Sequence, residues 1–322
     1  MKREEIAAFY KDLDSYKDKT VTVCGWVRSV RDSKALGFID LNDGSSFKGV
    51  QVVFEDGKIE NFKEIAAQNA GAALRVTGTL LATPGMKQPF EIHAEKIVVE
   101  GASAPEYPLQ KKRHGVEFLR TIAHLRPRTN LYSAAFRIRS AAAFAMHKFF
   151  QENGFVYIHT PIITATDCEG AEMFQVTTLD PASPPRTQEG GVDYHEDFFG
   201  KRVFLSGSGQ LQVECMAQAF SKVYTFGPTF RAERSNTPRH ASEFWHIEPE
   251  IAFADLNDDM DLIESTVKYV INYVLETCSQ DVEFCSQFVD KGLLERLRHV
   301  AGSDFGRVSY TDAIEILKEH NG

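Results

Sequence analysis

Between Tyr224 and Phe253 the chain reads YTFGPTFRAERSNTPRHASEFWHIEPEIAF, and this run concentrates side chains that can handle a nucleotide. Arg231 and Glu233 stand two apart, so an extended strand would carry both on one face. From Arg234 to Ser242 the composition turns polar. Arg234, Arg239 and His240 alternate there with Asn236, Pro238 and hydroxyl side chains, which suits a turn that seeks an anion. An extended segment resumes at Phe244, with Glu248 and Glu250 alternating onto one face. A guanidinium that forks onto phosphate, carboxylates that can hold a metal ion or an amine, and an aromatic ring near a base are the parts of a nucleotide-handling sheet.

These side chains need two strands joined by the loop and supported from behind. Upstream, Val203–Ser206 reads as a strand that leads into SGSGQLQVECMAQAF, a helix opened at Ser208 or Gly209. Ser133 to Asn153 has helical character that Gly154 stops. Asp255–Cys278, Asp281–Arg298 and Thr311–Glu319 read as amphipathic helices without a catalytic role. The Pro-, Gly- and charge-rich run Asp180–Gly200 reads as a surface insertion with no chemistry of its own.

The first 100 residues have a different texture. Residues 1–18 read as a short charged helix. Thr20–Arg31, Leu36–Leu41, Gly49–Phe54, Ala73–Ala82 and Phe90–Val99 then give β-rich runs, with a helical Ile59–Gln68 before the fourth. That order suggests a small Greek-key barrel of the OB type, whose face and loops commonly take single-stranded nucleic acid. Gly101 to about Arg113, stiffened by Pro105 and Pro108, marks a boundary. The expected architecture is α+β: an OB barrel over 1–100, a hinge over 101–130, and a mostly antiparallel sheet flanked by helices over 131–322.

Composition bounds the function less sharply. A chain of 322 residues with 36 Lys+Arg against 45 Asp+Glu carries a net charge of -9, so any nucleic-acid surface must be a local patch. Such a patch is present from Lys111 to Arg139, where eight Lys/Arg face the single acid Glu117. Cys24, Cys168, Cys215, Cys278 and Cys285 show neither metal-ligand spacing nor an even disulfide set, which points to a reducing compartment. With no apolar leader core and no apolar run of membrane length, the expectation is a soluble cytoplasmic protein.

The run Phe230-Arg231-Ala232-Glu233, its loop and the second acidic strand resemble motif 2 of the class II aminoacyl-tRNA synthetases. The longer string FGPTFRAE…SNT…RH…EFW…EPE resembles the asparaginyl members. FVYIHTPIITATDCEGAEMF is similar to motif 1 of that family, with Pro161 as its proline; motif 1 lies at the dimer interface there, which implies a homodimer. TDCEGAEMF resembles the mobile loop over the amino acid, which implies that Glu169 binds the substrate ammonium group. In class IIb enzymes the barrel holds the anticodon. Arg31, Phe38 and Gln51, within VRSVRD, GFID and VQVVF, fall at base-contacting positions, Phe38 to stack and the others to hydrogen-bond. Taken without the family, Phe38 could be core and the other two simply solvated.

The resemblance implies a reaction in two steps. The carboxylate of asparagine attacks the α-phosphate of Mg2+-bound ATP to give asparaginyl-adenylate, and the terminal ribose hydroxyl of tRNA(Asn) then takes the asparaginyl group. Catalysis falls to Arg231 on the α-phosphate and Glu233 near adenine or the tRNA end. Arg239 and His240 reach towards the β and γ phosphates and Phe244 stacks on adenine, while ligands for the metal are not assigned. Ser208 and Gln210 orient the amino acid. Aspartyl enzymes place a lysine after S-x-Q-x-x, where this chain has Val213. Glu214 instead offers an acceptor for an amide NH2 and repels a carboxylate. Its neighbours Leu211 and Met216 suggest a partly buried helix. Motif 3, a G-x-G-x-E-R string, does not occur before the chain stops at His320-Asn321-Gly322, so the catalytic domain is expected to be incomplete at its C-terminus. An aspartyl-tRNA synthetase and a non-catalytic tRNA-binding fragment are the competing readings.

Overall fold

The computed structural model describes residues 3–110, 112, 114–166 and 172–320. They divide into two compact units, Met1–Ser140 with Leu275–Arg296, and Ala141–Val274 with Leu297–Gly322.

In the first unit, α1 (Ile6–Lys11) is shorter than the charged N-terminal run suggests. Asp12 leaves helical geometry and its carboxylate accepts the Ser15 N–H at 3.3 Å, so a local side-chain turn ends the helix. The chain continues through β1 (Thr20–Ser33), β2 (Leu36–Asn42), β3 (Val50–Glu55), α2 (Phe62–Ala66), β4 (Ala73–Ala82) and β5 (Phe90–Gly101). The five strands close as β1-β2-β3-β5-β4, with β3 and β5 parallel and the other neighbours antiparallel. Strict alternation drives this closure. Val21, Val23 and Val27 point into a core shared with Ile39, Phe54, Leu74, Leu80 and Phe90, while Thr22, Cys24 and Trp26 alternate away from it. At the bulge between Thr77 and Gly78 the strands come so close that a Cβ on Gly78 would lie 2.2 Å from the His93 carbonyl oxygen.

Beyond the barrel lie α3 (Val116–Thr121) and α4 (Asn130–Glu152). The basic stretch is less bare than its own sequence implies. Arg120 approaches Glu117 at 3.8 Å, and Arg137 Nε donates to Asp281 Oδ1 at 2.8 Å. The second partner comes from 144 positions away, so counting acids inside the stretch could not find it. Arg128 donates to the Tyr107 hydroxyl at 3.0 Å and Arg126 lies over the Tyr132 ring at 4.7 Å. Lys111 and Arg113 lie outside the described residues.

The second unit contains β6 (Val156–Tyr157), β7 (Ile163–Thr164), β8 (Gln175–Val176), β9 (Val203–Leu205), α5 (Gln210–Phe220), β10 (Lys222–Phe230), β11 (Glu243–Ile251) and most of α6 (Leu256–Thr277). β10 and β11 pair antiparallel from Lys222↔Ile251 to Phe230↔Glu243, and β6 adds to β10 in parallel. β7, β9 and β8 form a second small antiparallel sheet. Under the first sheet Phe149, Phe150, Phe155 and the fully buried Tyr224 form the core cluster. The amphipathic run expected as one helix over Asp281–Arg298 is two, α7 (Ser279–Phe288) and α8 (Leu293–Gly302). The break has a local cause, because Asp290 accepts the Gly292 N–H at 3.0 Å through its side chain and the Leu293 N–H at 3.0 Å through its carbonyl. The last helix is α9 (Tyr310–His320).

The insertion Asp180–Gly200 is fastened by Asp197, which is 6% exposed. Its carboxylate accepts from Thr177 Oγ1 at 2.6 Å, from Thr178 N and Oγ1 at 3.1 and 2.8 Å, and from Phe198 N at 2.7 Å. These bonds, the one from Thr177 first, hold its pKa down at about 2 from an ordinary 3.8. A depressed carboxyl pKa stabilises the fold above the unfolded value and loses that effect as pH falls through the folded value. Urea midpoints of wild type and Asp197→Asn should therefore differ by a constant amount above pH 3.8 and converge as the pH falls to about 2. A gap that survives at the lower pH would place the contribution elsewhere.

Candidate functional site

Strand β10 ends at Phe230, so Arg231 and Glu233 do not share a face by strand alternation as the sequence suggests. Tertiary bonds place them instead. The Phe230 N–H donates to the Ser206 carbonyl at 2.9 Å and the Arg231 N–H to the Ser242 carbonyl at 3.1 Å. Arg231 Nε then donates to the Gly207 carbonyl at 3.2 Å, and the guanidinium carbon lies 5.6 Å from the Phe244 ring centre. Glu233 closes the group, its Oε1 4.0 Å from Arg231 Nη1 and its Oε2 3.9 Å from His240 Nε2. The loop holds His240 by a turn in which Thr237 Oγ1 bonds His240 Nδ1 and also accepts the Arg239 N–H at 3.3 Å. Arg231, Glu233, His240 and Phe244 are thus brought together, while Arg234 and Arg239 are exposed on the loop. A partly buried guanidinium, a half-buried aromatic ring and a carboxylate fit the phosphate, the base and an amine or hydroxyl of a nucleotide.

Beside them, the start of α5 is closed by a residue of β11. Ser208 Oγ donates to Glu248 Oε1, the Gly209 N–H donates to Glu248 Oε2 at 3.0 Å, and the Gln210 N–H donates to Ser208 Oγ at 3.1 Å. Position 209 must be glycine because a Cβ there would lie 2.6 Å from Thr160 Oγ1 and 3.0 Å from Thr225 Cγ2. Glu248, read from the sequence only as half of an alternating acidic pair, is thus the anchor that sets Ser208. Gln210 Nε2 donates to Glu214 Oε1 at 2.8 Å, one helical turn on. Against the expectation of a partly buried helix around it, Glu214 is exposed, as are Leu211 and Met216 at 49% and 41%, and Val213 is the residue of α5 that points into the core. Leu211, two residues before Val213, lies on the opposite face, whereas Met216, three residues after it, is near the same side and still stays exposed. Burial raises the Glu250 carboxyl, and the charges of Glu214, Glu248 and Asp259 raise it further. Acids gathered this densely favour an amide or ammonium group over a carboxylate. Pro161 is exposed before β7, and Glu169 lies outside the described residues.

In the barrel, four strands bring a row of side chains to one face. Arg31 pairs with Phe38, Phe38 with Val53, Asp40 with Gln51, Gln51 with Glu91 and Val53 with His93. Arg31 is exposed and Phe38 and Gln51 are half-buried. Gln51 Nε2 donates to Glu91 Oε2 at 3.0 Å, and His93 Nε2 bonds Glu91 Oε1 at 2.8 Å. Glu91 and His93 did not emerge from the sequence, although the alternation Glu91-Ile92-His93 around a buried isoleucine puts both on the outward face.

Residues 116–321 match the family model of class II tRNA synthetases (D, K and N), and residues 21–100 match that of the OB-fold nucleic acid binding domain. An asparagine–tRNA ligase of Clostridium botulinum (strain Alaska E43 / Type E3) is 62% identical over 98% of this chain and 68% of its own length. The chain belongs to the asparaginyl-tRNA synthetases, within class II. An asparagine–tRNA ligase of Clostridium perfringens (strain SM101 / Type A) is 60% identical over the same shares of both chains. Among solved structures, asparaginyl-tRNA synthetase from Pyrococcus horikoshii complexed with asparaginyl-adenylate superposes with a TM-score of 0.82 and 27% identity, over 99% of this chain and 68% of that one. The chain thus spans about two thirds of the length of these relatives. The aspartyl reading gives way to the asparaginyl one. Among the described residues no helix is long and apolar enough to cross a membrane.

Proposed function

We propose that this chain activates asparagine with ATP and serves its transfer to tRNA(Asn), with the catalytic chemistry in 131–322, the anticodon held on the barrel of 1–100, and 101–130 linking them. The observation that carries the reading is the group formed by Arg231, Glu233 and Phe244 beside the acidic cluster of Ser208, Glu214 and Glu248. Arg231 steadies the charge that grows on the α-phosphate as the asparagine carboxylate attacks it. Phe244 stacks on adenine, Glu233 hydrogen-bonds near it or near the tRNA end, and Arg239 and His240 draw the β and γ phosphates. Little bond-making falls to the side chains, so catalysis is placement and charge stabilisation. Ser208 and Gln210 orient the amino acid, Glu169 takes its ammonium group, and Glu214 accepts from the side-chain amide.

Among the described residues no group of three or more His, Cys, Asp or Glu is arranged to hold a metal ion. Mg2+ is proposed to enter with ATP, its protein ligands not assigned. A homodimer with Pro161 at its interface and a cytoplasmic setting complete the proposal.

The decisive experiment is amino-acid-dependent ATP–pyrophosphate exchange with asparagine and with aspartate. Exchange with asparagine alone is expected, and comparable exchange with aspartate would overturn the reading. Glu214→Ala should raise KM for asparagine by about tenfold, the loss of one charge-assisted hydrogen bond. An unchanged KM would remove Glu214 from the site.

A further inference from the structure

On the barrel face Gln51 lies at the centre of the row that runs from Arg31 to His93. An amide can face its neighbours either way round, and the two orientations present opposite chemistry to a nucleobase. Glu91 removes that ambiguity. A carboxylate accepts and does not donate, so the 3.0 Å contact must come from the Gln51 NH2, which turns Gln51 Oε1 away from Glu91. Glu91 in turn is held from its other oxygen by His93 Nε2 at 2.8 Å. His93 starts from a rigid point, since the close approach of Gly78 leaves no slack around its carbonyl. Of the other acids on β5, Glu95 is engaged by Thr79 Oγ1 at 3.0 Å and Glu100 by Arg75, and Asp40 stands across from Gln51 on β2.

We propose that His93 is a positioning residue for nucleobase recognition: through Glu91 it fixes the Gln51 amide so that its carbonyl meets a base edge carrying an N–H donor. This inference rests on the reading of the barrel as the anticodon-binding surface. His93 need not touch RNA. Its N–H keeps Glu91 from swinging off, and a released Glu91 would let the amide flip and present donors where an acceptor is required.

The test is fluorescence titration of the 322-residue chain with an anticodon stem–loop RNA of tRNA(Asn) and with stem–loops changed at one anticodon base at a time. His93→Ala should weaken binding of the unchanged stem–loop by about tenfold and blunt discrimination at the same base that Gln51→Ala affects. His93→Gln, whose amide N–H can reach the carboxylate, should stay within about threefold of wild type. The double variant His93→Ala/Gln51→Ala should bind no more weakly than Gln51→Ala, because the two act through one contact. Unchanged binding by His93→Ala, fully additive losses, or equal weakening for every stem–loop would each overturn the inference while leaving the barrel an RNA-binding surface. No binding by the wild-type chain would instead overturn the reading of the barrel itself.

Discussion

Replacing Arg231 with alanine is expected to lower asparagine-dependent adenylate formation by about 10²–10³-fold, the usual loss when one preorganised donor to a developing charge is removed. The expectation rests on placement. Arg231 is anchored on the Gly207 carbonyl and beside Glu233, with its guanidinium carbon 5.6 Å from the Phe244 ring centre, so a phosphate and a base can be gripped side by side. Its side chain remains 33% exposed, so truncation vacates little core, and the lost bond to Gly207 costs about 1 kcal/mol in stability. Binding of the anticodon stem–loop should stay within about twofold, since no barrel residue contributes to this group. The measurement is pyrophosphate exchange set beside stem–loop binding on the same preparation. Equal loss of both would show that Arg231 holds the fold rather than the phosphate.

The largest effect on stability is expected at Tyr224. It is fully buried, stacks on Phe150 at 4.8 Å, bonds His147 Nδ1 at 2.9 Å and accepts from Gln151 Nε2 at 3.4 Å. Tyr224→Ala opens a cavity between α4 and β10 and should cost about 3–5 kcal/mol. Tyr224→Phe keeps the packing but leaves the imidazole and amide without their partner, and should cost about 1–2 kcal/mol. Urea unfolding followed by near-ultraviolet circular dichroism separates these outcomes. A phenylalanine variant as unstable as the alanine variant would mean that the hydroxyl bonds, not the packing, dominate. Because the chain has two compact units, the transitions should be fitted separately if they resolve.

The elements whose cause is local were legible in the residues alone. Alternation of Val21, Val23 and Val27 against Thr22, Cys24 and Trp26 set the faces of β1, and the same period placed β2 to β5 within a few residues of their observed ends. The polar run from Arg234 likewise marked the loop between β10 and β11, although β10 ends earlier, at Phe230. Phe-Arg-Ala-Glu, with the acidic strand beyond it, was legible as a candidate site because those residues lie close along the chain.

The remaining features depend on contacts made across the fold. The packing of α5 buried Val213 and turned Leu211 and Met216 outward, which helical periodicity alone left undecided. Arg137 found Asp281, Ser208 found Glu248 and Gln51 found Glu91 across separations of 144, 40 and 40 positions. Such pairs are set by which strands and helices come to lie side by side. A linear sequence shows what each side chain can donate or accept, but the choice of partner follows from chain topology, which closes the barrel and lays β11 against the start of α5.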